Sequence, residues 1–395
     1  MKMKPIPYGR QHITDEDIKA VVETLQSDFL TQGPKVAEFE KAFAAYIGAH
    51  YAVSVANGTA ALHLCALALG VKAGTRVITT PITFAASANC ILYAGGEVYF
   101  ADVDPETALL DIQKVKTLIE SKPAGYFSGI IPVDFAGYPV DLEAFRALAD
   151  EHNLWIIEDA CHAPGGYFVD ANAQAQQCGN GQFADLAIFS FHPVKHIATG
   201  EGGMITTNRP DLYEQLLLLR THGITKNLAQ LHENHGGWYY EMQELGYNYR
   251  MPDMLTALGI SQLKRADGGL KRRQEIARKY DEAFASHPQL KILNPAVYRN
   301  SEPEKEIFHA YHLYVILVED RKGLYDYLKA NQIHAQVHYI PVHTMPYYQS
   351  LGFKKGDFPM AEHYYEKCLS LPMFPTLQPE EQDFVIAKVL AYLNQ

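Results

Sequence analysis

Two residues stand out for what their side chains could do together: Asp159 and Lys195. Asp159 ends an apolar run, Ile156-Ile157-Glu158-Asp159, and leads into Ala160-Cys161-His162-Ala163-Pro164-Gly165-Gly166. Lys195 follows a second run, Ala184-Asp185-Leu186-Ala187-Ile188-Phe189-Ser190-Phe191, through His192-Pro193-Val194, with Gly200-Glu201-Gly202-Gly203 beyond it. Each run reads as a short buried strand that stops where polar residues begin, and strands of this kind between helices suit a parallel sheet covered on both faces. Ligands of such sheets bind at the carboxyl ends of the strands, so the carboxylate and the amine share one cleft. An acid for a pyridinium nitrogen and an amine for a carbonyl describe pyridoxal phosphate held as a Schiff base. Taken singly, a loop lysine is ordinarily a solvated surface residue and an Asp after a strand is commonly a helix cap. The pairing of the two favours the cofactor.

Other residues add weaker signals. Asn57-Gly58-Thr59 ends a short strand and opens a helix, and the free N–H groups of a helix N-terminus suit a phosphate. Turn-and-cap chemistry explains the same residues equally well. Phe84, in the loop Pro81-Ile82-Thr83-Phe84 after a strand, reads as core or as a ring that stacks on a flat ligand. His232-Glu233-Asn234-His235 lacks the helical HExxH spacing and runs into Gly236-Gly237, so no metal is expected there. His192 and His196, four apart around Lys195, belong more naturally to a cofactor loop.

The elements that must position these groups follow from periodicity and caps. Strands are predicted at 51–55, 76–80, 98–103, 129–133, 155–157 and 204–207. Helices are predicted at 14–30, with Thr14 as cap, and at 36–47, 58–69, 112–121, 142–153 and 212–220. This β-then-α rhythm predicts an α/β fold with a doubly wound, mostly parallel sheet in a large domain over 1–252. Residues 167–183 read as an irregular polar excursion. One long helix over 254–280 is expected to link to a smaller C-terminal α/β domain over 253–395, with strands at 310–317 and 336–338 and helices at 323–330, 361–369 and 379–393.

A chain of 395 residues suits one large and one smaller domain. Hydrophobic content of 48% with 20% charged residues is that of a soluble globular protein, and no apolar run is long enough to cross a bilayer. The start, Met1-Lys2-Met3-Lys4-Pro5-Ile6-Pro7, has no apolar core or cleavage site of a signal peptide, so a cytoplasmic protein is expected. Five scattered Cys without a CxxC pair argue against a disulfide framework or a zinc ribbon. A net charge of −11 with no basic run makes nucleic acid an unfavourable partner.

With Asn57-Gly58-Thr59-Ala60-Ala61-Leu62, Glu158-Asp159-Ala160-Cys161-His162-Ala163, Phe189-Ser190-Phe191-His192-Pro193-Val194-Lys195, Glu201-Gly202-Gly203 and Gly246-Tyr247-Asn248-Tyr249-Arg250-Met251 in order, the chain resembles the DegT/DnrJ/EryC1/StrS sugar aminotransferases along nearly all its length. The resemblance implies a pyridoxal phosphate enzyme of transferase fold type I that works as a homodimer on nucleotide-linked keto sugars. It makes Lys195 the Schiff-base lysine and Asp159 the partner of the pyridine nitrogen, with Phe84 stacked on the ring. Gly58, Thr59 and Ser190 would hold the phosphate, His162 would lie near the ring hydroxyl, and Asn248 would reach the phosphate from the neighbouring subunit, with Arg250 in the same motif. Family members that remove a hydroxyl carry His at the lysine position, so Lys195 favours transamination. The loop Phe29-Leu30-Thr31-Gln32-Gly33-Pro34 and the His-Pro-Val-Lys form look most like the pseudaminic acid branch, which aminates C4 of a UDP-linked 4-keto-6-deoxy N-acetyl hexose, with glutamate as donor by family likeness. The alternatives are a 3-amino sugar transaminase acting on a dTDP-linked 3-keto sugar, and a regulatory protein that kept the fold without catalysis.

Overall fold

The computed structural model describes residues 4–294 and 307–395. Seven strands form the central sheet, in the order Tyr51–Val55, Gly203–Thr207, Leu186–Ser190, Trp155–Asp159, Gly129–Ile131, Arg76–Thr79 and Glu97–Phe100. All neighbours are parallel except Gly203–Thr207, which runs antiparallel to both of its own. The near-continuous apolar strands follow from burial on both faces. The helix Gly58–Ala68 is apolar on almost every side and buries all but three of its residues, so it lies inside the molecule. In contrast, Ile112–Glu120 buries only Val115 and Ile119, and Asp111 caps it by accepting from the amides of Gln113 and Lys114.

A second core gathers Ile6, Tyr280, Phe284, Tyr314, Ile316, Leu324, Leu371 and Val385. It lies around an antiparallel sheet of Leu290–Ile292, Tyr314–Val318 and Cys368–Leu371. The N-terminal segment joins it as well, because Ile6–Pro7 pairs in parallel with Ile333–His334. None of the helices among the described residues is long and apolar enough to cross a membrane.

Several elements differ from the expectations. The first helix stops at Leu25, short of residue 30, and the strand expected to reach 103 ends at Phe100. The single linker helix is two, Asp253–Leu263 and Ala266–Phe284, because Arg265 leaves helical geometry and turns its guanidinium to Asp17. The excursion at 167–183 holds a hairpin, Tyr167–Val169 with Ala175–Gln177, extended by Ile307–Phe308. Its third strand is distant in sequence, so no local pattern announces it. Cys368–Leu371 continues an apolar stretch that reads as helix, yet forms a buried strand against Tyr314–Val318. The strand expected at 336–338 is reduced to a single bridge between Gln336 and Ser370.

Candidate active site

Asp159 is the last residue of its strand and is 5% exposed. Its Oδ2 accepts a 2.7 Å hydrogen bond from Ser87 Oγ, and its Oδ1 accepts from the Cys161 amide at 3.2 Å. Ser87 sits in the first turn of the helix Ala86–Tyr93, beside Thr83 Oγ1 at 2.8 Å. A carboxylate held by donors on both oxygens has one orientation left.

Lys195 belongs to the turn that leaves the adjacent strand. Its amide donates to the His192 carbonyl at 2.8 Å, and the chain returns to the sheet where Thr199 N meets the Phe191 carbonyl at 2.9 Å. The returning strand passes so close to the Asn57 turn that a Cβ on Gly203 would lie 2.6 Å from the Asn57 carbonyl. Lys195 Nζ stands 3.4 Å from His312 Nε2. Burial pushes this amine down to about 8, with Cys161 and Asp159 pulling the other way. It therefore holds a substantial neutral, nucleophilic fraction near physiological pH.

His162 is buried, and Ala136 N donates to its Nδ1 at 3.2 Å. With Nδ1 accepting, the ring proton sits on Nε2, which faces Tyr339 Oη at 3.2 Å. Burial, with the nearby Lys195 charge, holds this imidazole well below the ordinary histidine range, so it is neutral.

At the other end of the cleft, Asn57 caps the helix Gly58–Ala68 by accepting from Ala60 N at 2.8 Å. The amides of Gly58 and Thr59, ahead of the first intrahelical bond, remain available to an anion at the positive end of the helix dipole. A Cβ on Gly58 would stand 3.1 Å from Ser190 Cβ, so the small residue keeps the serine close to this helix start. Phe84 is 62% exposed, its ring 6.3 Å from that of Tyr339. A large ring left uncovered at a cleft suits stacking on a flat ligand.

These groups line one cavity of about 440 Å³, which contains Gly58, Thr59, Phe84, Asp159, His162, Ser190 and Lys195 together. That size suits a small cofactor with part of a substrate. The structure does not bring Asn248 there: it is exposed and forms a bridge with Thr221. The Phe29–Pro34 loop also lies elsewhere, with the Gly33 and Lys35 amides bound to Asp253 on a groove beside the first helix. Sequence reasoning missed Tyr8, Ser87, His312, His338 and Tyr339, all of which line the cavity. Ser87 had a usable signal, a hydroxyl in the first turn of a helix after a strand. The others come from the N-terminal segment and from the stretch 312–339, where no motif marks them.

An acid at a strand end, a depressed lysine, an open helix N-terminus and a bare aromatic ring surround one cavity. These residues fit pyridoxal phosphate: each polar part of the cofactor has a complementary group, and Gly58 and Gly203 keep the backbone approach open. Fold and site together define a pyridoxal phosphate-dependent transferase. The chain belongs to the DegT/DnrJ/EryC1/StrS aminotransferase family, whose sequence profile matches residues 11–390. It is 40% identical to the spore coat polysaccharide biosynthesis protein SpsC of Bacillus subtilis, over 97% of this chain and 96% of that protein. It is 36% identical to the UDP-4-amino-4,6-dideoxy-N-acetyl-beta-L-altrosamine transaminase of Campylobacter jejuni (serotype O:2), over 99% of this chain and 98% of the relative. Among solved structures, Helicobacter pylori PseC, an aminotransferase involved in the biosynthesis of pseudoaminic acid, matches with a TM-score of 0.87 at 31% identity, over 99% of this chain and 100% of that one. The PLP-form of the putative sugar aminotransferase Spr1654 from Streptococcus pneumoniae matches with a TM-score of 0.87 at 28% identity, over 99% of both chains. The protein is a sugar aminotransferase that uses pyridoxal phosphate.

Proposed function

We propose that the enzyme moves an amino group from glutamate to C4 of a UDP-linked 4-keto-6-deoxy N-acetyl hexose. The observation that supports this reading most is the end-to-end similarity to the Campylobacter jejuni transaminase, combined with an intact Lys195–Asp159 site. When bound, pyridoxal phosphate supplies an electron-accepting ring that acidifies the Cα–H of the amino donor. The protein supplies the rest. Asp159, fixed by Ser87 and the Cys161 amide, would face the ring nitrogen and favour its protonated form. Lys195 would hold the cofactor through Nζ, and the same atom, as a free amine, would be the base for the donor's Cα proton. Its depressed proton affinity suits both tasks. Gly58, Thr59 and Ser190 would hold the phosphate, Phe84 would cover one ring face, and neutral His162 would donate or accept at the ring hydroxyl without adding charge.

In this reading the working unit is a homodimer. Asn248, exposed and away from the cavity of its own chain, serves the phosphate end of its partner's site.

The test is to incubate the purified enzyme with glutamate and a panel of UDP- and dTDP-linked 3-keto and 4-keto sugars, and to identify the products by mass and NMR. Preferred amination of the UDP-linked 4-keto N-acetyl sugar is expected. Equal or better turnover of a dTDP-linked 3-keto sugar overturns the substrate assignment and leaves the family assignment standing.

A further inference from the structure

Directly behind Asp159 lies a group of side chains that the reaction does not use. Asp134 and Glu158 are 1% and 2% exposed, and one potential ligand atom from each, with Cys178 Sγ, lies within 4.8 Å of the others. Asp134 Oδ1 accepts from Val140 N at 2.9 Å, and Glu158 Oε1 accepts from Gly179 N at 2.9 Å. The second oxygen of each, Asp134 Oδ2 and Glu158 Oε2, is buried and accepts no hydrogen bond from the described residues. Each carboxyl thus keeps one buried oxygen without a donor among the described residues, while the two groups lie within 4.8 Å of one another.

Two acceptor-only groups this close and out of water can satisfy each other only if one of them carries a proton. The titratable groups facing the pair are Asp159 at the strand end, Cys178 from the hairpin and, next to Asp134, Cys161; none brings a positive charge. Three ionised carboxylates in one dry region without a cation would carry a prohibitive charge, and a carboxylate pair sharing a site relieves this by keeping one proton.

We propose that Asp134 and Glu158 share a single proton and act as positioning residues for Asp159, an inference that rests on Asp159 being the acid at the ring nitrogen. The pair joins three segments at the back of the cleft. Asp134 follows the strand Gly129–Ile131, and its amide donates to the Asp159 carbonyl at 3.1 Å. Glu158 is the neighbour of Asp159 on the same strand and, by the alternation of side chains, points to the opposite face. Gly179 and Cys178 end the hairpin. The shared proton thus does two things: it ties the Asp159 strand end to the loop beside it, and it removes one of two negative charges from the dry region behind Asp159. Burial, the first cause for both groups, pushes the Glu158 carboxyl well above its usual range and Asp134 to about 7, in line with a proton retained at neutral pH.

Infrared difference spectra of the full-length holoenzyme at pH 6 test the proton directly. A protonated-carboxyl carbonyl band is expected in the wild type and is lost in both Asp134→Asn and Glu158→Gln, because the remaining acid accepts from the new amide and stays ionised. An unchanged band in either variant overturns the shared proton. So does a stoichiometric metal ion that leaves with Glu158→Gln. The positioning role is read from the pH midpoint of the bound cofactor's absorption and from kcat against KM for glutamate. Glu158→Ala moves the midpoint and lowers kcat by about tenfold or more at little cost to KM, on the scale of lost supporting-shell contacts. Glu158→Gln, which retains a hydrogen bond to Asp134, restores the midpoint. If Glu158→Ala leaves the midpoint in place, or Gln does not restore it, the positioning role is wrong. Asp159→Asn separates this inference from the reading beneath it, since that variant keeps the infrared band whatever it does to turnover.

Discussion

Ser87 Oγ donates to Asp159 Oδ2 at 2.7 Å, and this bond reaches across 72 residues of chain to join a helix start to the end of a different strand. The hydroxyl is itself held beside Thr83 Oγ1, so the acid is oriented by a small buried relay. Asp159→Ala should fold yet lose turnover by orders of magnitude, with Asp159→Asn nearly as poor. Ser87→Ala removes the orienting bond alone and should cost roughly tenfold, the scale of one hydrogen bond to a charged group. Exchange of the glutamate Cα–H in deuterated water measures both. Near-normal exchange in either Asp159 variant would mean that another group serves the ring nitrogen.

Lys195 is expected to be the only covalent anchor of the cofactor. Borohydride reduction of the holoenzyme followed by peptide mapping should place the label on Lys195, and Lys195→Ala should lose both the label and turnover. A label on any other lysine contradicts the assignment.

The low proton affinity of Lys195 gives a pH signature. Covalent uptake of pyridoxal phosphate by the cofactor-free enzyme needs the neutral amine, so its rate should climb through a midpoint of about 8, well below that of an ordinary lysine. The sign for stability follows from the same shift. Between about 8 and the ordinary lysine value the unfolded chain binds a proton that the folded one does not, so this lysine's contribution to stability rises with pH across that window. Lys195→Met should abolish covalent uptake in stopped flow and flatten the pH dependence in denaturant titrations. Uptake in the wild type with no inflection below pH 10 would show that the amine is not depressed.

A site shared between subunits predicts complementation. In a mixed dimer of Lys195→Ala with Asn248→Ala, one site carries both lesions and the other is intact. Random pairing makes about half of the dimers mixed, so co-expression should recover roughly a quarter of wild-type activity by symmetry. The comparison requires that each parent be impaired alone. A purified heterodimer no more active than impaired parents would place Asn248 outside the partner's site.

How much of this was legible in the sequence depends on where each signal lives. The strands that carry Asp159 and Lys195 are short apolar runs closed by polar residues, and burial on both faces leaves that pattern in the residues themselves. Asn57 announces its helix because capping is a contact between residues three apart. The sequence by itself therefore determined the α/β rhythm, the acid, the lysine and the helix start that faces them. Tertiary structure alone decided the rest. The hairpin Tyr167–Val169 with Ala175–Gln177 gains its third strand only because Ile307–Phe308 pairs with it, and Cys368–Leu371 is a strand only because Tyr314–Val318 lies beside it. Tyr8, His312 and Tyr339 enter the cleft because the N-terminal segment and the stretch 312–339 fold back to the cavity that holds Lys195, which no local spacing encodes. The Asp134–Glu158 contact is of the same kind: two acids 24 positions apart become a proton-sharing pair when adjacent parallel strands place them side by side out of water, where the cost of a second charge, absent in the extended chain, decides their state.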